Sequence, residues 1–101
     1  SDDMIILRGV NVFPTQIEEQ VMAVEGLGPY FQIELYKSGR MDAMRVLVEV
    51  MDGSVDKDAI GGALTKRIKD MVGISTKVIV GEPGSVARSQ GKAVRVVDNR
   101  G

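Results

Sequence analysis

Cysteine and histidine are both absent from the 101 residues of this chain. Their absence excludes thiol and imidazole catalysis, disulfide bonds and ordinary zinc sites, and it leaves nucleophilic triads without their usual base. A chain without cysteine fits a reducing compartment, so we expect a cytoplasmic location.

Long apolar runs and an excess of one charge are also missing. No run approaches the roughly 20 residues of a transmembrane helix, and the first residues lack the basic and then apolar pattern of a signal peptide. The 13 basic and 14 acidic residues give a formal net charge of −1, which provides no field that favours nucleic acid or an anionic membrane. We therefore expect neither as a partner.

The residues that are present fit one small domain, which we assign to residues 1–101. Hydrophobic residues make up 44% of the chain but aromatic residues only 4%, so we expect a core of Val, Ile, Leu and Met. The sequence starts abruptly, in what resembles the middle of a motif. We therefore expect it to be a fragment of a longer polypeptide.

The apolar periodicity predicts a series of short elements. Two short strands are joined at the tight turn Arg8-Gly9, and a helix starts at Pro14. Strands are then predicted over 31–36 and 44–50, a helix over 56–72 and a strand over 76–80. In the second helix, Gly61-Gly62 costs about 1 kcal/mol per residue relative to alanine, which indicates a close approach by a strand or a partner.

The order of these elements predicts the fold. Strand, helix, strand, strand, helix, strand is the order of a ferredoxin-like split βαβ domain. We therefore predict an α+β fold with an antiparallel sheet and two helices on one of its faces. The N-terminal hairpin and a strand-like tail after Lys92 are expected to lie outside this unit.

Lys92 lies at a corner between a loop and a strand. The loop Gly84-Ser85-Val86-Ala87-Arg88-Ser89-Gln90-Gly91-Lys92 is followed by alternating β-branched residues. A lysine placed there can project its ammonium away from the domain, although it is equally well a solvated lysine in a mobile tail. The loop is not a P-loop, because six residues separate its two glycines and Ala93 replaces the magnesium-binding Ser or Thr.

Both ends of the chain resemble a known family. The motifs that carry the resemblance are Asp2-Asp3-Met4-Ile5-Ile6, Arg8-Gly9-Val10-Asn11-Val12-Phe13-Pro14, Gln16-Ile17-Glu18-Glu19 and Arg88-Ser89-Gln90-Gly91-Lys92. Together they look like the C-terminal domain of AMP-forming acid–CoA ligases of the adenylate-forming superfamily, and within it they most resemble phenylacetate–CoA ligases. The resemblance covers nearly the whole chain and is sharp at its two ends.

The resemblance implies a ligase that acts in phenylacetate catabolism. Its substrates would be ATP, CoA and a small aromatic carboxylic acid, and a large N-terminal domain, absent from this sequence, would hold nearly all of the nucleotide, Mg²⁺ and acyl pocket. The reaction would form an acyl-adenylate and then a CoA thioester. The partner of this domain would be its own N-terminal domain, and the isolated fragment is expected to be inactive.

Two site residues follow from the resemblance. The matching lysine, Lys92, would reach into the N-terminal domain and contact the acid's carboxylate and ATP phosphate oxygens, where it stabilises the charge that develops during adenylation. Asp2 matches the hinge about which the domain rotates between the two steps, and Asp3 is the alternative carrier of that role. Without the resemblance, Asp2 is only an exposed terminal aspartate.

Three further residues are also implicated. Arg8 and Gly9 would face the active site after the rotation and line the tunnel for the pantetheine arm of CoA, because a missing side chain permits close approach. Without the resemblance they form only a hairpin turn. Arg88 is a candidate contact for a carboxylate or a phosphate, or else a surface charge. Ala87 stands where proline is frequent in the family, which leaves the rigidity of the loop open.

Two other interpretations stay open at this point. A non-catalytic ferredoxin-like module for small-ligand binding or dimerisation accounts for the fold equally well, but it leaves Asp2 and Lys92 unexplained. A ligase relative could also pass the activated acid to an acceptor other than CoA. The sequence does not identify the acid, and a homodimer is left open.

Overall fold

The computed structural model describes residues 3–88 and 94–101 of the chain. Within these residues the elements are, in order, β1 (Ile5–Leu7), β2 (Val10–Val12), α1 (Pro14–Ala23), β3 (Leu27–Ser38), β4 (Met41–Val50), α2 (Lys57–Val72), β5 (Lys77–Gly81) and β6 (Val94–Asp98). The predicted α+β class, the N-terminal hairpin and the two helices are confirmed.

The main sheet is mixed, which corrects the predicted antiparallel sheet. Its strand order is β5-β4-β3-β6. Strands β3 and β4 form an antiparallel hairpin, whereas β5 is parallel to β4 and β6 is parallel to β3. Parallel neighbours require a long connection that returns the chain to the same end of the sheet, and α2 supplies one between β4 and β5. The C-terminal strand is therefore an edge of the sheet, and the prediction that it lies outside the unit is wrong.

Strand β3 starts four residues earlier than the alternation of its residues predicts. The pairing register with β4 shifts between Leu27 and Phe31, where the chain carries Gly28 and Pro29. Such an irregularity interrupts the period of two on which the prediction depends. At the other end, the turn between β3 and β4 is only Gly39-Arg40, with φ +63° at the glycine.

Both helices have well-defined ends. Helix α1 starts with Pro14 at its first position, and the Phe13 N–H donates to Gln16 Oε1 at 2.9 Å. The side chain of Asp56 caps α2 by accepting from the Ala59 N–H at 3.1 Å, and Gly73 closes it in the left-handed conformation with φ +85°. No helix in the described part of the chain has the length and hydropathy needed to cross a membrane.

The core lies between the two helices and one face of the sheet. Phe31, Ile33 and Leu35 of β3 lie opposite Val48, Val46 and Met44 of β4, and all six are buried. Ile17 and Val21 of α1, with Ile60, Leu64 and Ile68 of α2, belong to the same cluster. The predicted placement of both helices on one face is thus confirmed. The other face carries polar side chains such as Gln32, Glu34 and Arg45 together with the apolar Leu47 and Ile79.

The two glycines inside α2 have different surroundings, which yields a first prediction. A Cβ at Gly61 would lie 3.3 Å from Val80 Cγ2, whereas a Cβ at Gly62 would have no atom within 4 Å. We expect Gly62→Ala to raise the free energy of unfolding by about 0.5–1 kcal/mol, because alanine favours a helix. Gly61→Ala should gain less, because Val80 must shift. Urea unfolding of the two variants measures the difference, and equal gains would contradict the close approach of β5.

Candidate functional site

The segment that leads to Lys92 crosses the face of the sheet opposite the helices. Strands β5 and β6 lie at opposite edges of the sheet, and residues 82–88 follow directly after β5. The described part of this segment, residues 82–88, contacts Glu49 of β4 and Tyr30 of β3. Here we call residues 82–88 the stem of the Lys92 loop.

Glu49 and Arg88 form the central contact of the stem. Glu49 is 4% exposed, although its strand neighbours on this face are polar or partly exposed. Arg88 Nη1 pairs with Glu49 Oε1 and also donates to the Val86 carbonyl at 2.8 Å, while Nη2 lies 3.4 Å from Glu49 Oε2. The Gly84 N–H donates to Glu49 Oε2. Both terminal nitrogens of the Arg88 guanidinium therefore contact the Glu49 carboxylate.

Tyr30 covers the other side of the arginine. The guanidinium carbon of Arg88 lies 3.7 Å from the centroid of the Tyr30 ring, which is the geometry of a cation–π contact. Tyr30 lies on β3 and Glu49 on β4, so the guanidinium joins the stem to both central strands.

The surroundings of Glu49 favour its charged form. Burial raises the pKa of this carboxyl group, but the hydrogen bond from Arg88, the Gly84 and Val86 N–H groups and the charge of Arg88 lower it more. The pKa of Glu49 is therefore below its ordinary value of 4.5. At neutral pH the site holds a carboxylate and a guanidinium, fully ionised.

Lys92, the predicted catalytic residue, lies outside the described residues. Arg88 precedes it by four positions, and Val94, which follows it by two, pairs with Phe31 of β3. Because Tyr30 and Phe31 are adjacent, both described flanks of the loop lie at the same end of β3. Asp2 also lies outside the described residues.

Asp3, the alternative hinge residue, is exposed. It lines a groove of about 510 Å³ together with Met4, Val96 and Arg100. Arg100 donates to the Ile6 carbonyl at 2.7 Å, and this bond ties the C-terminal residues to the N-terminal hairpin. The chain therefore enters the domain beside strand β6.

The Arg8-Gly9 turn is held against the start of β4. Both residues have positive φ, +50° and +76°, which is the pattern of a type I′ hairpin turn. Arg8 Nε donates to the Asp42 carbonyl at 2.7 Å, and Arg100 Nη1 lies 3.0 Å from Asp42 Oδ2. A Cβ at Gly9 would have no atom within 4 Å, so the turn faces open space.

The two predicted sites lie at opposite ends of the sheet. Asp42, beside Arg8, and Glu49, beside Arg88, are both on β4 and are seven residues apart. At the usual rise of a strand this separation is roughly 23 Å. The structure therefore brings the Arg8-Gly9 turn together with Arg100, but it does not bring that turn close to the stem.

Glu49 and Tyr30 were missed by the sequence analysis. A signal for Glu49 existed, because it is the one carboxylate in the run Val46-Leu47-Val48-Glu49-Val50. Arg88 was predicted to contact a carboxylate or a phosphate, and the carboxylate it contacts here belongs to its own domain. Among residues 3–88 and 94–101, no group of three or more acidic side chains could hold a metal ion.

Comparison with known proteins gives the family. Residues 9–100 match the family described as AMP-binding enzyme C-terminal domain. The chain is 46% identical over 105 residues to the phenylacetate-coenzyme A ligase of Escherichia coli strain K12 and 47% identical over 106 residues to that of Pseudomonas putida. Each alignment covers 99% of this chain and 24% of the relative, so the chain spans about a quarter of their length.

Solved structures share the fold. A domain of phenylacetate-coenzyme A ligase from Bacteroides vulgatus superposes with a TM-score of 0.83 at 30% identity, covering 97% of this chain and 95% of that one. An open conformation of 2-hydroxyisobutyryl-CoA ligase, in complex with 2-HIB-AMP and CoA, gives a TM-score of 0.81 at 29% identity, covering 97% of this chain and 22% of that one.

These matches define the class of protein. The chain belongs to the family of AMP-binding enzyme C-terminal domains, and the relatives that it matches over its whole length are CoA ligases. The resemblance predicted from the two terminal motifs is confirmed, and it favours a ligase domain over an independent ferredoxin-like module.

The Glu49–Arg88 pair makes stability depend on pH, which is the second prediction. Glu49→Gln should lower the unfolding free energy at pH 7 by about 1–3 kcal/mol, because glutamine keeps an acceptor for Gly84 but loses the charge that Arg88 binds. The contribution of the carboxylate is fully present above its ordinary pKa of 4.5 and is lost as the pH falls through the lower pKa of the folded state.

The difference between the wild-type chain and the Glu49→Gln variant should therefore shrink in acid. Urea unfolding at a series of pH values from 7 to 3 measures it on this chain, which is similar in length to the separately solved Bacteroides domain. A difference that stays constant over this range would show that the pair is not an ionised one.

Proposed function

We propose that this domain serves an intact ligase that activates a small aromatic carboxylic acid with ATP and transfers it to CoA. In the first step the acid's carboxylate attacks the α-phosphorus of ATP, forming the acyl-adenylate and releasing pyrophosphate. In the second step the CoA thiolate attacks the acyl carbon and displaces AMP. The identity of 46% and 47% to two phenylacetate-coenzyme A ligases supports both the reaction and the class of acid.

Lys92 is the proposed cation of the first step. Negative charge grows on the carboxylate and phosphate oxygens as the adenylate forms, and a fixed cation in a site shielded from water stabilises that charge. The position of the two flanks of the loop supports this role. Arg88 is fastened to Glu49 and Val94 is paired in the sheet, so Lys92 follows a restrained stem and precedes a strand.

The Arg8-Gly9 turn is the proposed contact surface of the second step. The turn is exposed, and a Cβ built on Gly9 would have no atom within 4 Å. It therefore leaves room for the narrow pantetheine arm of CoA. The observation that carries the two-step proposal is the separation of this turn from the stem, roughly 23 Å along β4. Two surfaces at opposite ends of one body cannot face one active site at the same time.

A rotation of the whole domain follows from that separation. We place its hinge at Asp2, with Asp3 as the alternative, because the chain enters the domain there and a few backbone torsions at such a position can reorient a rigid body. The open conformation described for 2-hydroxyisobutyryl-CoA ligase, with adenylate and CoA bound, supports more than one arrangement in this family.

The N-terminal domain of the ligase is the proposed partner of both surfaces, the Arg8-Gly9 turn and the Lys92 loop. We assign the acyl pocket, most contacts to ATP and CoA, and any Mg²⁺ to it, because the described residues here do not offer a donor set for a metal. The location we propose for the complete enzyme is the cytoplasm, on the ground that the chain has no cysteine.

The third prediction tests Lys92. In the full-length ligase, Lys92→Ala should slow acid-dependent release of pyrophosphate by about 100-fold or more, because the transition state loses its cation. Conversion of supplied acyl-adenylate to thioester should change little. Lys66→Ala is the matched control, since Lys66 is 78% exposed on α2 and far along the chain from the loop. Unimpaired adenylation by Lys92→Ala would refute the role of Lys92.

The fourth prediction tests the turn. Gly9→Ala and Gly39→Ala replace glycines that both have positive φ, +76° and +63°, with no atom within 4 Å of the new Cβ. Each should therefore cost a similar amount of stability, about 1–2 kcal/mol. Only Gly9→Ala should slow thioester formation from supplied acyl-adenylate, by about tenfold, because only its Cβ narrows the proposed CoA path. Equal rates in the two variants would remove the turn from the CoA site.

A further inference from the structure

The donors to Glu49 identify what this buried carboxylate holds. Within the described residues, the groups that donate to it are the Gly84 and Val86 N–H groups and the Arg88 guanidinium, and all of them belong to the stem. A buried carboxylate is costly, and an apolar residue often gives equal stability in its place. A carboxylate also fixes the orientation of the side chain that binds it, because the planar guanidinium of arginine pairs with it in few geometries.

The sheet side of the contact comes from two neighbouring strands. Glu49 is near the end of β4 and pairs with Gly81 of β5, and Tyr30 lies over the guanidinium from the register shift at the start of β3. Arg88 is therefore held from two directions, by an ion pair on one strand and by a ring on the next. The last described residue before Lys92 has a fixed place on the sheet.

A fixed Arg88 matters because Val94, on the other side of Lys92, does not by itself determine the position of the lysine. Val94 is held in the sheet beside Phe31, and Lys92 is two residues away from it. Two residues span up to about 7 Å, so Val94 alone would leave the lysine a wide range of positions. A misplacement of about 1 Å can cost a catalytic group 100-fold in rate. The stem holds the chain four residues before Lys92, a span of up to about 14 Å, so it adds a second limit on where the lysine can lie.

We propose that Glu49 is a positioning residue for adenylation, which holds Arg88 and with it the stem that presents Lys92. This inference rests on the proposed role of Lys92. Glu49 itself does not touch the substrates; it acts through the lysine. Tyr30 restrains the same guanidinium from its other side.

The test uses the full-length ligase and separates the two half-reactions. Glu49→Gln keeps the size of the side chain and removes the charge, and Arg88→Lys keeps the charge but loses the fork. The matched control is Glu34→Gln, because Glu34 lies on the same face of the sheet and pairs with Arg45 at 3.0 Å, away from the stem. Thermal unfolding of each variant establishes that it is folded.

We expect Glu49→Gln to lower the kcat of acid-dependent pyrophosphate release by about tenfold, with KM for ATP and the acid within about twofold, because the misplaced lysine acts on the transition state. Arg88→Lys should change kcat in the same direction. Thioester formation from supplied acyl-adenylate should stay near the wild-type rate in both, and Glu34→Gln should affect neither step. An equal loss in both half-reactions, or a wild-type rate of adenylation in both stem variants, would overturn the inference.

A double variant distinguishes this inference from the role of Lys92. If Glu49 acts only through the lysine, adding Glu49→Gln to Lys92→Ala should cause no further loss of adenylation. A further tenfold loss in that background would show that Glu49 acts by another route. If Lys92→Ala itself adenylates normally, the proposed function of the lysine fails, and the inference about Glu49 fails with it. If Lys92→Ala is impaired while Glu49→Gln is not, only the inference fails.

Discussion

The path of the segment between β5 and β6 is the constraint on which the rest of the site depends. The two strands occupy opposite edges of the sheet, both helices cover one face, and the stem at residues 82–88 lies on the other face. Val86 of the stem is buried, with 4% exposure, on a face of the sheet that carries both polar and apolar side chains. Glu49 and Arg88 add to this burial a bidentate ion pair that is shielded from water on the carboxylate side.

This arrangement also clarifies the departure at Ala87. Proline at that position would restrict the backbone directly, but here the restraint comes from the side chain of the following residue. Arg88 is anchored at its far end by Glu49 and by the Tyr30 ring. A loop can thus be held by one well-placed guanidinium in place of a rigid residue, provided that a buried carboxylate is available on the sheet below it.

Local signals in the sequence were sufficient for most of the fold. Pro14 and Asp56 mark helix starts through backbone chemistry that depends only on neighbouring residues, and each lies where it was expected. The direction of β5 and β6 was not predictable in the same way, because strand pairing joins residues that are distant in the chain. The start of β3 was not predicted because the register shift near Pro29 interrupts the alternation of apolar and polar residues that indicates a strand.

The site was predictable only in part. The two terminal motifs led to Lys92, Arg8 and Gly9, but neither motif contains Glu49, which is 39 residues from Arg88 in the chain. Contacts of this kind depend on sheet register, and a carboxylate within an apolar strand does not indicate its partner. The same holds for Arg100 and Asp42, which join three separate parts of the chain around the first turn.

Strand β6 has a further consequence for how the domain is made. Residues 94–98 leave the ribosome after the other strands of the described sheet, yet they pair along β3, a central strand of that sheet. Until they emerge, β3 presents an unpaired edge, which is a template for wrong pairing with other chains. The nascent domain is therefore most exposed to aggregation between the synthesis of β5 and the pairing of β6, and strand β6 both completes the sheet and protects it.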